Sequence, residues 1–193
     1  DENVTHVAGK IDPLSDIEII DTELMLKDMD GLQKALIRIE KLARSGDKDA
    51  KAQADVFKKV NQGLEDGTPV RRQGLSEDEL AKVKELCLLT AKPVLYVTDV
   101  DDGSLPDGNE YVEQVRKFAA QEGAGVAVVS AQIEAELIEM DGESQTEFLA
   151  DLGLSEPGLN TVIREAYTLL DLISYFTAGV KEVRAWTIHR GDT

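Results

Sequence analysis

Three carboxylates crowd into one short stretch, Asp99-Val100-Asp101-Asp102-Gly103, directly after the apolar run Pro93-Val94-Leu95-Tyr96-Val97-Thr98. Carboxylates so placed can do two kinds of chemistry. They can hold a hard cation: Asp99, Asp101 and Glu110 fall at positions 1, 3 and 12 of an EF-hand-like loop. That loop needs Gly at position 6 and an oxygen ligand at 5, whereas here Gly103 takes position 5 and Ser104 position 6. The entering element also reads as a strand rather than a helix, so calcium is disfavoured. Alternatively, the carboxylates can accept hydrogen bonds from the ring N–H or exocyclic amino groups of a nucleotide base. A solvated acidic turn is the third reading of the same spacing.

Other constellations are poor. The two histidines, His6 and His189, are far apart, and neither Cys-x-x-Cys nor His-x-x-x-His spacing occurs for zinc. Cys87 sits in Leu86-Cys87-Leu88-Leu89, which predicts a buried structural thiol rather than a nucleophile. The Gly9-Lys10 pair is followed by Ile11 and has Val4 where a phosphate-binding loop would have its first Gly, so these residues spell no Walker A motif. Asp28-Met29-Asp30-Gly31 imitates a switch motif inside a helical stretch and reads as coincidence. No catalytic residue and no metal ligand is assigned.

The elements that must position the acidic loop follow from periodicity. Pro93–Thr98 and Val126-Ala127-Val128-Val129 read as strands buried on both faces. Between them lies a helix carrying Tyr111, Val112, Val115, Phe118 and Ala119, stopped by Gly123. Strand, helix, strand at this spacing is a βαβ unit with parallel strands, whose ligands sit beyond the strands' carboxyl ends. That rule selects Asp99–Asp102 and Ser130-Ala131-Gln132. Further helices are expected at Ser144–Leu152 and Asn160–Leu172, and strand character returns over 173–193.

Upstream the pattern is helical. Ser15-Asp16-Ile17-Glu18 and Ser76-Glu77-Asp78-Glu79 both read as capping boxes that start helices. Met25, Met29, Leu32, Leu36, Ile39 and Ala43 follow 4-3-4-3-4 spacing, a stripe narrow enough for a coiled-coil seam. A second helix begins near Lys48 after the link Ser45-Gly46-Asp47, which predicts an antiparallel hairpin. Lys34, Arg38, Lys41, Arg44, Lys48 and Lys51 gather toward its tip, with Arg71-Arg72 beyond the second helix. They form either a solvated face or a phosphate-contacting finger.

Composition sets the frame. The 193 residues carry 21 Lys+Arg against 38 Asp+Glu, a net charge of −17, with 42% hydrophobic residues. That apolar share builds a packed core and excludes disorder as the meaning of the acidity. The charge argues against wrapping nucleic acid with the whole surface. No run approaches the roughly 20 apolar residues of a membrane helix, and a lone cysteine fits a reducing cytoplasm.

Asp12-Pro13-Leu14-Ser15-Asp16-Ile17-Glu18 with Thr22-Glu23-Leu24, then Glu156-Pro157-Gly158-Leu159-Asn160, and above all Tyr175-Phe176-Thr177-Ala178-Gly179-Val180-Lys181-Glu182-Val183-Arg184-Ala185-Trp186-Thr187 are stretches with a common likeness. Together they resemble one family, the YchF-type Obg-like ATPases. The resemblance implies an α/β fold: part of a P-loop GTPase-like domain with parallel strands, an inserted antiparallel coiled-coil hairpin, and the opening of a TGS domain of β-grasp type. It implies boundaries of 1–20 (GTPase-like), 21–85 (coiled-coil insertion), 86–172 (GTPase-like, continued) and 173–193 (TGS). It also implies a fragment whose phosphate loop, magnesium ligands and switches precede Asp1.

Under the resemblance, Asp99 and Asp102 stand where the family's base-reading loop has Asn and Glu, and Val100 would lie against the base plane. Ser130, Ala131 and Gln132 match the fifth GTPase motif, whose amides face the base. The implied activity is hydrolysis of ATP in preference to GTP, with Mg2+, in a cytoplasmic, ribosome-associated parent protein. The chain alone is expected to be inactive and to bind nucleotide weakly. The alternative is a non-catalytic module docking ribosomal RNA or protein through Arg38, Lys41, Arg44 and Lys48. A truncated sheet would leave an unpaired edge, which invites self-association.

Overall fold

A computed structural model describes residues 11–192. His6 and the Gly9-Lys10 pair lie outside them. The chain divides into two compact units, one spanning Leu14–Pro93 and the other running from Val94 onward together with the described residues before Leu14.

The first unit is helical. Helix α1 spans Pro13–Arg44 and α2 spans Lys48–Glu65. Asp47 caps α2, its carboxylate accepting from the amides of Asp49 and Ala50 at 2.9 and 3.0 Å. The expected seam forms: Met25 and Leu32 are buried against Val56, Phe57, Val60 and Leu64, with Met29, Leu36 and Ile39 packed alongside. Leu32 and Val60 are fully enclosed. Lys58 reaches across to Glu40 at 2.9 Å, tying the two helices as a hairpin.

One start signal holds and the other shifts. Helix α3, Glu77–Val83, begins with the full Ser76/Glu79 box. The Ser15 box does not cap α1, because the helix already begins at Pro13. Proline's fixed φ suits the first helical position and costs no useful N–H there. Cys87 is also corrected. It is exposed, with φ 50° at the end of a short 3-10 turn. The left-handed backbone turns its side chain outward and gives the buried place to Leu88.

The second unit contains the βαβ. Strands β1 (Leu95–Asp99) and β2 (Gly125–Val129) pair in parallel, with Leu95 opposite Gly125 and Asp99 opposite Val129. Helix α4, Glu110–Glu122, connects them, capped by Asn109 and stopped by Gly123 in the left-handed conformation. Burial on both faces is not reached: Val97 is 50% exposed. The sheet has two strands among the described residues, in the order β1-β2.

Three helices follow β2: α5 (Ala131–Ile138), α6 (Gly142–Asp151) and α7 (Gly158–Leu169). Ile133, Leu137 and Leu149 join α5 to α6, and α7 packs on β2. Strands β3 (Leu172–Ala178) and β4 (Val183–His189) close the chain as an antiparallel hairpin, pairing Tyr175 with Trp186. The architecture is the expected mixed α/β one.

Candidate functional site

The carboxyl ends of β1 and β2 are tied together by side chains from the two loops that sequence reasoning selected. The Val100 amide donates to the Val129 carbonyl at 2.9 Å, carrying the ladder one step past Asp99. One residue earlier, Asp99 Oδ1 accepts the Ala131 amide at 2.8 Å. Asp102 Oδ1 accepts the Ser130 hydroxyl at 2.9 Å. The Ser130 oxygen caps α5 by accepting from the Ile133 amide. A helix start leaves its first amides without intrahelical partners, and here Asp99 and Ser130 satisfy two of them.

The six expected base-site residues are therefore neighbours, in unequal settings. Asp99, Ala131 and Gln132 are exposed at the rim, Asp102 is half-buried, and Ser130 is 3% exposed. Val100 is only 6% exposed, which leaves little of its side chain to meet a base plane. Val100 packs with the buried residues of this unit. Gln132 reaches along its own helix to Glu136 at 3.3 Å.

A cavity of about 300 Å³ adjoins this rim, lined by Leu105, Val128, Ser130, Ile133, Glu134 and Leu154 among others. That is the lower end of the size range of small-molecule sites. Ser130 belongs to both rim and cavity. The far wall is held by Glu134, whose carboxylate accepts from the amides of Gly158 at 2.6 Å and Leu159 at 3.3 Å. This remote carboxylate serves the start of α7, where Pro157 gives no side-chain cap. Gly158 permits the approach: a Cβ there would stand 3.0 Å from Val129 Cγ1 and 3.1 Å from Glu134 Oε1.

The basic set divides. Arg38, Lys41, Arg44 and Lys48 are exposed at the hairpin tip, as expected of a finger. Arg71 and Arg72 do not belong with them. Arg71 bonds both carboxylate oxygens of buried Asp21 at 2.9 Å, and Arg72 adds a bond at 3.1 Å. A second buried carboxylate, Asp28, accepts from the amides of Leu89 and Thr90 at 2.7 and 2.8 Å and from the Thr90 hydroxyl at 2.7 Å. Sequence reasoning missed both roles. The available signal was their spacing, since Asp21, Met25, Asp28 and Leu32 continue one 4-3-4 stripe.

No group of three or more His, Cys, Asp or Glu among the described residues is arranged to hold a metal ion. No helix among them is long and apolar enough to cross a membrane.

Comparison with known proteins identifies the lineage. No protein-family model matches the chain. A ribosome-binding ATPase YchF of Haemophilus influenzae is 49% identical over 192 residues, covering 100% of this chain and 53% of that protein. The chain is a homologue of the YchF proteins. Relatives of the same name from Escherichia coli O157:H7 and Bacillus subtilis are 48% and 46% identical. The structure of the Schizosaccharomyces pombe YchF GTPase matches with TM-score 0.84 at 32% identity, covering 100% of this chain and 53% of that one. The chain thus spans about half the length of the YchF relatives it matches. Its βαβ and helical hairpin are their architecture.

Proposed function

We propose that the intact protein carrying this chain is a cytoplasmic, ribosome-associated nucleoside triphosphatase that prefers ATP to GTP, and that these residues supply its base-reading rim. The observation that carries the reading is the double tie of Asp99 to Ala131 and Asp102 to Ser130. It builds a polar edge at the carboxyl ends of two parallel strands, where such sheets place ligands. The YchF relatives, named as ATPases, support the activity.

Hydrolysis is phosphoryl transfer to water, in which catalysis is mainly phosphate positioning and charge stabilisation. The residues here contribute neither a phosphate cradle nor a metal. Their share of the work is to orient the base by accepting its N–H groups and to hold the two loops at fixed separation. A carboxylate offers acceptors only, whereas an amide at the Asp99 place would also donate to an acceptor on adenine. Titration of ATP and GTP into the intact protein and into the 193-residue polypeptide tests the reading. The intact protein binds both, ATP more tightly, and the polypeptide binds neither at micromolar concentration. Turnover by the purified polypeptide would overturn it.

A second reading concerns the hairpin. Four exposed cations, Arg38, Lys41, Arg44 and Lys48, at the tip of an otherwise acidic chain fit docking onto the ribosome. Self-association of the isolated polypeptide through a sheet edge belongs to the same reading.

A further inference from the structure

The solvent face of α1 near the tip is not simply basic. Ile37 is 60% exposed and Leu42 54% exposed, although both are large aliphatic side chains. At helical spacing, Lys34, Ile37, Lys41 and Arg44 form one stripe, and Arg38 and Leu42 form the stripe beside it. Leu32, Leu36 and Ile39, on the other side of the helix, fill the seam with α2, so Ile37 and Leu42 are not displaced core residues. Lys34 is paired with Asp30 at 2.7 Å, while Arg44 stands 3.9 Å from Glu40.

From this we infer that the α1 face at Ile37 and Leu42 docks an acidic amphipathic helix of a protein partner. The inference rests on the hairpin-docking reading above and names its partner class. Aliphatic anchors at helical spacing inside a ring of cations match a helix that presents its own apolar stripe flanked by Asp and Glu. Sequence-tolerant binding of unpaired RNA uses aromatic side chains on which bases stack. The helical unit has one aromatic residue, Phe57, and it is 3% exposed in the core. The net charge of −17 repels an acidic partner elsewhere on the chain, so the cationic face also selects the docking orientation.

The test measures binding of the intact protein to purified ribosomes as a function of salt, for I37S/L42S and for R38E/K41E/R44E. All five positions are solvent-facing, and unchanged thermal melts verify folding. A photo-crosslinker at position 37 reports what is touched. The inference predicts that I37S/L42S weakens binding about tenfold or more with an unchanged salt slope. It predicts that charge reversal weakens binding and flattens that slope, and that the crosslink lands on an acidic helical protein segment. If I37S/L42S binds as tightly as wild type while charge reversal weakens binding and deproteinised ribosomal RNA competes, the inference fails and the docking reading stands. If neither variant changes binding, both fail. Light scattering that shows a dimer abolished by I37S/L42S would overturn the inference in favour of a second copy of this chain.

Discussion

Asp99 Oδ1 accepts the amide of Ala131 at 2.8 Å, so one carboxylate oxygen at the end of β1 fixes the start of the helix that follows β2. The bond joins residues 32 apart in sequence at the place where the parallel pair delivers its loops. It also constrains what Asp99 can offer a ligand, because one oxygen is already used.

Asparagine at this position would keep the carbonyl acceptor for Ala131 and add an N–H donor toward a base. Asp99→Asn in the intact protein should therefore tighten binding of both ATP and GTP, by about tenfold for one added bond, because both purines offer a ring-nitrogen acceptor. Asp99→Ala should instead lower stability by about 1 kcal/mol, the ordinary cost of losing a helix cap. Nucleotide titration and urea melts separate the two effects.

The buried carboxylates of the helical unit should dominate its stability. Removing Asp28 leaves the part-buried amide of Leu89 and the buried amide of Thr90 without their acceptor, and Asp28→Ala should cost about 3 kcal/mol. Asp21→Ala should also destabilise the unit, by about 1–3 kcal/mol, since it removes both carboxylate bonds to the Arg71 side chain, which is 10% exposed. Asp30→Ala, which breaks the solvent-exposed pair with Lys34, should leave the denaturation midpoint unchanged.

Gly158 is required by a close approach rather than by its backbone angle. A methyl group there would press on Val129 and on the Glu134 carboxylate that holds the start of α7. Gly158→Ala should destabilise the protein by about 1–3 kcal/mol, as overpacking does. Hydrogen exchange should then rise first at the α7 amides of Gly158 and Leu159.

Acid should loosen α3 through its cap. The hydrogen bond from Lys59, helped by the Ser76 amide, holds the Glu79 carboxyl below its ordinary value of 4.5. A folded value below the unfolded one adds stability that is complete above about pH 4.5 and is lost as pH falls through the depressed value. Glu79→Gln should remove that portion of the acid sensitivity, visible as a flatter dependence of melting temperature on pH in this window.

What the sequence reveals depends on how local each cause is. The Ser76/Glu79 box, the Asn109 and Gly123 ends of α4 and the parallel pairing of the two apolar runs are set within a few residues or by one crossover, and all are legible. Helix α5 is not, because Ser130-Ala131-Gln132 reads as a loop motif until Ser130 is seen to cap Ile133. Full burial of β1 is misjudged because an apolar run does not record how much of each face its neighbours among the described residues cover, and Val97 remains 50% exposed. Cys87 escapes an apolar run through a single left-handed residue. Asp21 and Asp28 are hidden because their partners lie 50 to 62 residues away. The loops at Asp99–Asp102 and Ser130–Gln132 were legible from the βαβ pattern, their base-reading role is what a resemblance implies, and the structure adds which of these residues are exposed and which are bound to one another.

The central claim is that Asp99, Asp102 and their partners read the base and leave the phosphates to other parts of the protein. The most direct measurement compares the affinities of ATP and of tripolyphosphate for the intact protein and its Asp102→Ala variant. ATP should bind about tenfold more weakly to the variant, with tripolyphosphate unchanged. Equal losses for both ligands, or no loss for ATP, would contradict the account.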